Sequence, residues 1–145
     1  MRPEETVDYH IKSSWLSISR MYNQLASKHN MTQAVGYVLL LIDEDKGINV
    51  TQIGPLMGME PTGLSRLLKS MEKDKLIKRK KDKSDGRKVR ICLTKLGIEK
   101  KKIARSVVKK FNNKILNEIS AKEFEVFKLV MNKVHSVVDQ YKTLQ

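Results

Sequence analysis

The spacing of three residues, together with the run that follows them, constrains this chain most. Gly54 is followed four positions later by Gly58, and Leu64 lies six positions beyond that. Gly58 permits the positive φ that a sharp turn between two helices requires. Gly54 is small where two helices cross closely, and Leu64 is set to point back into the first helix. Pro61 suits the first position of the second helix, where a missing N–H matters least. Downstream, residues 76–81 and 88–94 flank Asp82-Lys83-Ser84-Asp85-Gly86-Arg87, and Asp-Gly is a strong hairpin-turn signal. In the return strand Val89, Ile91 and Leu93 alternate with Lys88, Arg90 and Cys92, which predicts an apolar inward face and a basic outward one. Helix, tight turn, helix and basic hairpin in that order predict a winged helix-turn-helix, an arrangement that places one helix and one loop on duplex DNA.

The charge distribution agrees. The chain of 145 residues carries a formal net charge of +13. Residues 66–110 hold 19 Lys and Arg against 5 Asp and Glu, and the remainder is nearly neutral. A positive field confined to one stretch is the footprint of a polyanion-binding face, whereas a solubilising surface intersperses both signs.

The rest of the chain reads as helices. The length favours one domain over residues 1–145. Pro3 with Glu4 and Glu5 suits a helical first turn. Ile11, Trp15, Ile18, Tyr22 and Leu25 then form an apolar seam. Asn30 is a left-handed stop and Thr32 a cap. Residues 34–42 are apolar almost all round and predict a core helix. Ile48, Asn49 and Val50 suit a short strand, Thr51 a helix cap, and Pro55 the edge of that helix's first turn. Leu64, Leu67, Leu68, Met71 and Leu76 supply the buried side of the second motif helix. A long basic helix over 94–119 follows. Ser120 with Glu123 forms a capping box for a last helix whose apolar stripe runs through Phe124, Phe127, Val130, Met131, Val134, Val137, Val138 and Tyr141. Such a stripe must be covered. The expected fold is therefore mainly α with a small β-hairpin. Residues 32–94 are expected to form the winged helix-turn-helix, and helices in 1–30 and 95–145 to dimerise the chain; the alternative is that the terminal helices pair within one copy.

The second motif helix leaves Thr62, Gly63, Ser65, Arg66 and Lys69 off its buried side, with Pro61 at its start. The N-terminal part of such a helix reaches base edges, and Arg66 has the bidentate geometry that reads guanine; the alternative for Arg66 is an internal ion pair. Thr51 and Gln52 offer helix-N-terminal amides to a phosphate. In the wing, Lys83, Ser84, Asp85, Arg87 and Lys88 form the contacting set, with Arg87 suited to the minor groove. Of the run Lys78-Arg79-Lys80-Lys81, only some members are expected to touch DNA. Asp82 and Asp85 sit oddly in such a tip. Asp85 is expected to orient Arg87 or Arg66, against the plainer reading of turn chemistry.

The run Leu64-Ser65-Arg66, with Met71-Glu72, Leu76-Ile77, the 82–87 wing and Leu93-Thr94-x-x-Gly97, resembles the MarR family of bacterial regulators over essentially the whole chain. The resemblance implies a homodimer built by the terminal helices and a wing arginine in the minor groove. It also implies repression of transcription that is released by a small ligand, an oxidant or a metal. Three positions depart from the family pattern: Gly63 replaces Ser or Thr, Lys75 replaces Gly, and Ser84 replaces a wing Arg.

The effector is weakly specified. Trp15, Tyr22 and Tyr37 are the ligand-binding candidates. Cys92, the lone cysteine, excludes an internal disulfide and makes redox sensing the second choice. His10, His29 and His135 are not spaced as metal ligands, so no metal and no cofactor is expected. No nucleophile–base pair or phosphate loop suggests an enzyme. No apolar stretch approaches 18 residues, and the start of the chain is unlike a signal peptide, so a cytoplasmic protein is expected. The rival readings are a basic RNA- or ribosome-binding protein and a winged-helix protein-interaction module.

Overall fold

The computed structural model describes residues 1–144. Its elements are α1 (Val7–Ser27), α2 (Gln33–Leu41), β1 (Ile48–Asn49), α3 (Val50–Met57), α4 (Pro61–Lys73), β2 (Ile77–Lys81), β3 (Val89–Leu93), α5 (Lys95–Glu118) and α6 (Ala121–Thr143). The three strands form one antiparallel sheet in the order β1-β3-β2. The chain divides into two compact units, the first ending at Val107 and the second beginning at Val108.

In the first unit, caps decide where helices begin. Pro3–Glu5 is a separate 3-10 turn, not the first turn of α1. The Thr6 hydroxyl oxygen accepts from the Tyr9 amide at 3.3 Å, so α1 starts at Val7. Asn30 ends the passage from α1 with φ +57°, and Thr32 accepts from the Val35 amide to start α2, both as the sequence predicts. Lysines close the C-termini of these helices: Lys100 Nζ donates to the His29 carbonyl at 2.7 Å, and the buried Lys101 Nζ donates to the Ile42 carbonyl. A cation belongs where exposed carbonyls give a helix end partial negative charge.

The core is built from α2, α3, α4 and the inward face of the sheet. Val38, Leu39, Ile42, Ile53, Leu68, Met71 and Ile91 are fully buried. Between α2 and β1, Asp43 Oδ1 accepts from the amides of Asp45 (2.9 Å) and Lys46 (2.7 Å), and Gly47 takes φ +70°. These amides, Lys46's foremost, hold the Asp43 carboxyl below the usual carboxylate range. Any Cβ on Gly47 would lie 2.5 Å from the Ile91 carbonyl oxygen, so the turn packs directly on the central strand.

Four sequence expectations shift in position. The predicted strand covers Ile48 and Asn49 only, because Val50 is already helical. Asn49, not Thr51, caps α3: its Oδ1 accepts from the Thr51 amide at 3.0 Å and the Thr51 hydroxyl at 2.8 Å. Pro55 consequently lies inside α3 rather than at its first turn. Leu76 is buried, but in the turn after α4 rather than on it.

That turn holds one of the departures noted in the sequence. Lys75 has φ +60°, the left-handed region that favours Gly. Thr94 clasps it. The Thr94 hydroxyl donates to the carbonyls of Lys75 (2.6 Å) and Leu76 (3.1 Å) and accepts from the Gly97 amide at 3.0 Å, while the Thr94 amide donates to Leu76 at 3.1 Å. A Cβ on Gly97 would fall 2.0 Å from the Leu76 carbonyl oxygen. The Thr-x-x-Gly segment is thus the joint between the sheet, the turn and α5.

In the second unit, Ser120 and Glu123 exchange both bonds of a capping box (3.0 and 2.9 Å). Among the described residues neither this unit nor α1 buries a side chain completely, and Phe127, Leu129, Val130, Val137, Val138 and Tyr141 of α6 are exposed. No helix among the described residues is long and apolar enough to cross a membrane.

Candidate nucleic-acid interface

Helices α3 and α4 meet through the predicted turn. Gly58 has φ +62°, and Leu64 is buried against Gly54. The approach is looser than the spacing suggests, since a Cβ on Gly54 would stand 3.5 Å from Leu64 Cδ2, ordinary van der Waals contact. Pro61 opens α4, and Glu60 supplies no side-chain cap. The first amides of α4, at Thr62 and Gly63, therefore lack a side-chain acceptor at the N-terminus.

Burial of Leu64, Leu68 and Met71 fixes the rotation of α4. Thr62, Gly63, Ser65, Arg66 and Lys69 are consequently exposed, as is Pro61. Arg66 makes no hydrogen bond or ion pair among the described residues, so the internal ion pair considered for it is absent. Thr51 and Gln52 are exposed at the start of α3. The Thr51 amide and hydroxyl both donate to Asn49 Oδ1, so neither hydrogen is free for a phosphate.

A groove of about 770 Å³ lies beside the two helices, lined by Thr51, Gly54, Pro61, Leu64, Ser65 and Arg79. Arg79 was not singled out by sequence reasoning. Its Nε donates to Glu72 Oε1 at 2.6 Å, which holds the guanidinium beside α4 and removes it from the solvated basic run.

The wing differs from the expected tight turn. Strand pairing ends at Lys81 with Val89, leaving a seven-residue loop over 82–88. Gly86 does not take a positive φ, and a Cβ there would meet nothing within 4 Å. The loop is shaped instead by two aspartates. Asp85 Oδ1 accepts from the Arg87 amide at 3.0 Å, and the Lys88 amide donates to the Asp85 carbonyl at 3.0 Å. Asp82 Oδ1 accepts from the Ser84 amide (2.8 Å) and hydroxyl (2.7 Å). Lys83, Ser84, Arg87 and Lys88 are exposed and Asp85 is half-buried.

Asp85 therefore performs turn chemistry and orients neither Arg87 nor Arg66 through a guanidinium. The carboxylate that grips an arginine is Asp82, which accepts from Arg90 Nη1 at 3.2 Å. Arg90 in turn donates from Nε to the Lys46 carbonyl (2.8 Å) and from Nη2 to the Gly47 carbonyl (3.3 Å). The predicted outward basic face of β3 is thus half-buried at Arg90 and Cys92. Ser84, then Arg90, holds the Asp82 carboxyl well below the usual carboxylate range.

A second cavity, of about 400 Å³, is lined by Trp15, Ser19, Gln33, Tyr37, Met57 and Met59. Trp15 and Tyr37 lie 6.1 Å apart between ring centroids, and Gln33 Nε2 donates to Ser19 Oγ at 3.3 Å. Burial pushes the Tyr37 hydroxyl above its ordinary pKa. Tyr22 is not among the lining residues. No group of His, Cys, Asp or Glu among the described residues is arranged to hold a metal ion.

Comparison with known proteins gives a consistent result. The sequence profile of the MarR family matches residues 30–89. The HTH-type transcriptional regulator SarZ of Staphylococcus haemolyticus is 24% identical over 124 residues, covering 86% of this chain and 82% of the relative. The structure of the S. aureus MepR–DNA complex superposes with a TM-score of 0.79 at 24% identity, covering 91% of this chain and 98% of that one. PcaV from Streptomyces coelicolor, in complex with its natural ligand, gives a TM-score of 0.77 at 17% identity, with 95% and 97% covered.

Proposed function

We propose that this chain, whose residues 30–89 match the MarR family, is a MarR-family DNA-binding transcriptional regulator rather than an enzyme and acts as a cytoplasmic homodimeric repressor of a two-fold symmetric duplex site. Residues 1–145 form one functional domain. Residues 32–94 read DNA, and the helices within 1–30 and 95–145 join two copies. Half-sites then lie about 34–36 Å apart, one helical turn. Pro61, Thr62, Gly63, Ser65, Arg66 and Lys69 face the major groove, with Arg66 on guanine. Thr51 and Gln52 approach a phosphate. Lys83, Ser84, Asp85, Arg87 and Lys88 form the minor-groove tip, led by Arg87. The observation that carries this reading is the exposed face of α4, where Arg66 stands without a partner among the described residues, opposite buried Leu64, Leu68 and Met71.

The cavity at Trp15 and Tyr37 supports release by a small aromatic ligand. It offers ring faces, the Ser19–Gln33 pair and the Tyr37 hydroxyl, and Met57 and Met59 connect it to the turn between α3 and α4. The similar structures of MepR in complex with DNA and of PcaV in complex with its natural ligand support this reading.

Selection of bound sequences from a random duplex library at near-physiological salt tests the proposal. A recovered two-fold symmetric site is the expected outcome. Recovery of no motif, with binding that vanishes as salt rises, would reduce the chain to a non-specific polyanion binder and favour RNA as its partner.

A further inference from the structure

Arg90 uses all three guanidinium nitrogens, each on a different acceptor. Nε reaches the Lys46 carbonyl, Nη2 the Gly47 carbonyl and Nη1 the Asp82 carboxylate. It lies on the central strand, opposite Asn49 on one side and Lys80 on the other. The two carbonyls belong to a stiff support. Asp43 gathers two amides of its own turn, the Gly47 amide donates to the Asp43 carbonyl at 3.0 Å, and Gly47 is packed on the Ile91 carbonyl so closely that no Cβ fits. The third acceptor is the root of the wing. Asp82 binds Ser84 twice through its other oxygen, and its amide donates to the Lys88 carbonyl at 3.0 Å, closing the loop at its base. Arg87 sits between those two ends, exposed and with no side-chain partner among the described residues.

We propose that Arg90 is a positioning residue for DNA binding: it ties the base of the wing to the 43–47 turn and so sets the course along which Arg87 leaves the protein. This rests on the wing reading given above. Arg90 acts through Arg87 and does not itself touch the duplex. A lysine at 90 keeps the charge but presents a point ammonium, which lacks the planar fork that satisfies three acceptors at once.

A double-mutant cycle tests this. Arg90→Lys, Arg87→Ala and the double variant are titrated against the selected duplex across a salt series, with thermal unfolding as the control for folding. Each single change is expected to weaken binding by about tenfold, and the double variant to bind about as weakly as Arg87→Ala alone, since two residues acting as one unit do not add. Should Arg90→Lys fail to fold, Asp82→Asn replaces it with the same expected non-additivity. A second readout needs no DNA. A spin label at Gly86→Cys in a Cys92→Ser background, where the added Cβ meets open space, is expected to move faster when Arg90→Lys is introduced. Additive losses, an Arg90→Lys variant that binds like the parent, or an unchanged label would overturn the role of Arg90 while leaving the wing reading intact. An Arg87→Ala variant that binds as tightly as the parent would overturn the wing reading, and the proposal with it.

Discussion

At the scale of single residues, two pairs of glycines that look alike in the sequence differ in what they permit. Gly47 and Gly97 are wedged against carbonyl oxygens, whereas Gly54 and Gly86 have room for a side chain. Gly97→Ala is expected to cost about 1–3 kcal/mol as an overpacked site. Gly54→Ala, inside α3, is expected to gain about 0.5–1 kcal/mol from helix propensity. Urea unfolding of both variants checks the contrast, and the reverse order would contradict it. Lys75 presents the opposite situation, a side chain where the backbone is left-handed. Lys75→Gly is expected to stabilise by about 1 kcal/mol, the rough cost of that conformation for an L-residue; a loss in the same measurement would show that the turn carries no strain. The turn glycine at 58 and the caps at Thr32 and Ser120 were legible because each acts within three or four residues of itself. The cap at Asn49 carried an equally local signal, since Asn is a preferred capping residue. Thr51 carried a similar one two positions later, and propensity alone does not choose between them.

At the scale of elements, the helix-turn-helix and the strand register were legible because burial has a period, and Leu64, Leu68 and Met71 repeat it. What the wing is tied to was not legible. The contact from Arg90 to Lys46 spans 44 residues of sequence, and nothing local marks either end. The same blindness assigned the orienting role to Asp85, the aspartate nearer Arg87, when the fold gives the grip to Asp82. The exposed face of α4 carries its own prediction. Arg66→Ala is expected to relax discrimination at one base position per half-site by about 1–3 kcal/mol, the value of a bidentate guanine contact. Competition among single-base variants of the selected duplex measures it, and undiminished discrimination would remove Arg66 from base reading.

For the molecule as a whole, net charge overstates what a polyanion meets. Several cations of the basic stretch are spent on the protein itself: Arg79 on Glu72, Arg90 on Asp82, Lys100 and Lys101 on helix ends. The sequence located the positive field but could not separate its outward members from these, because the separation depends on tertiary contacts. The apolar stripes at the two ends of the chain were legible as seams, and Trp15 and Leu16 in the first unit and Phe127 and Val130 in the second are exposed. Paired substitution of Phe127 and Val130 by Glu is therefore expected to yield a monomer by sedimentation velocity and to cost at least about a hundredfold in affinity for a two-fold site. A variant that stays dimeric would place the interface elsewhere.

The burial of Lys101 has a chemical consequence. A primary amine inside the fold, bonded to the end of α2, is shielded from acylating reagents, whereas Lys102, its exposed neighbour in sequence, is not. Brief treatment with an amine-reactive ester is expected to modify Lys102 at once and Lys101 only as often as α5 lifts from α2, read by mass spectrometry of the digested chain. The adjacent pair thus carries its own internal standard, one lysine reporting the reagent and the other the opening of the fold.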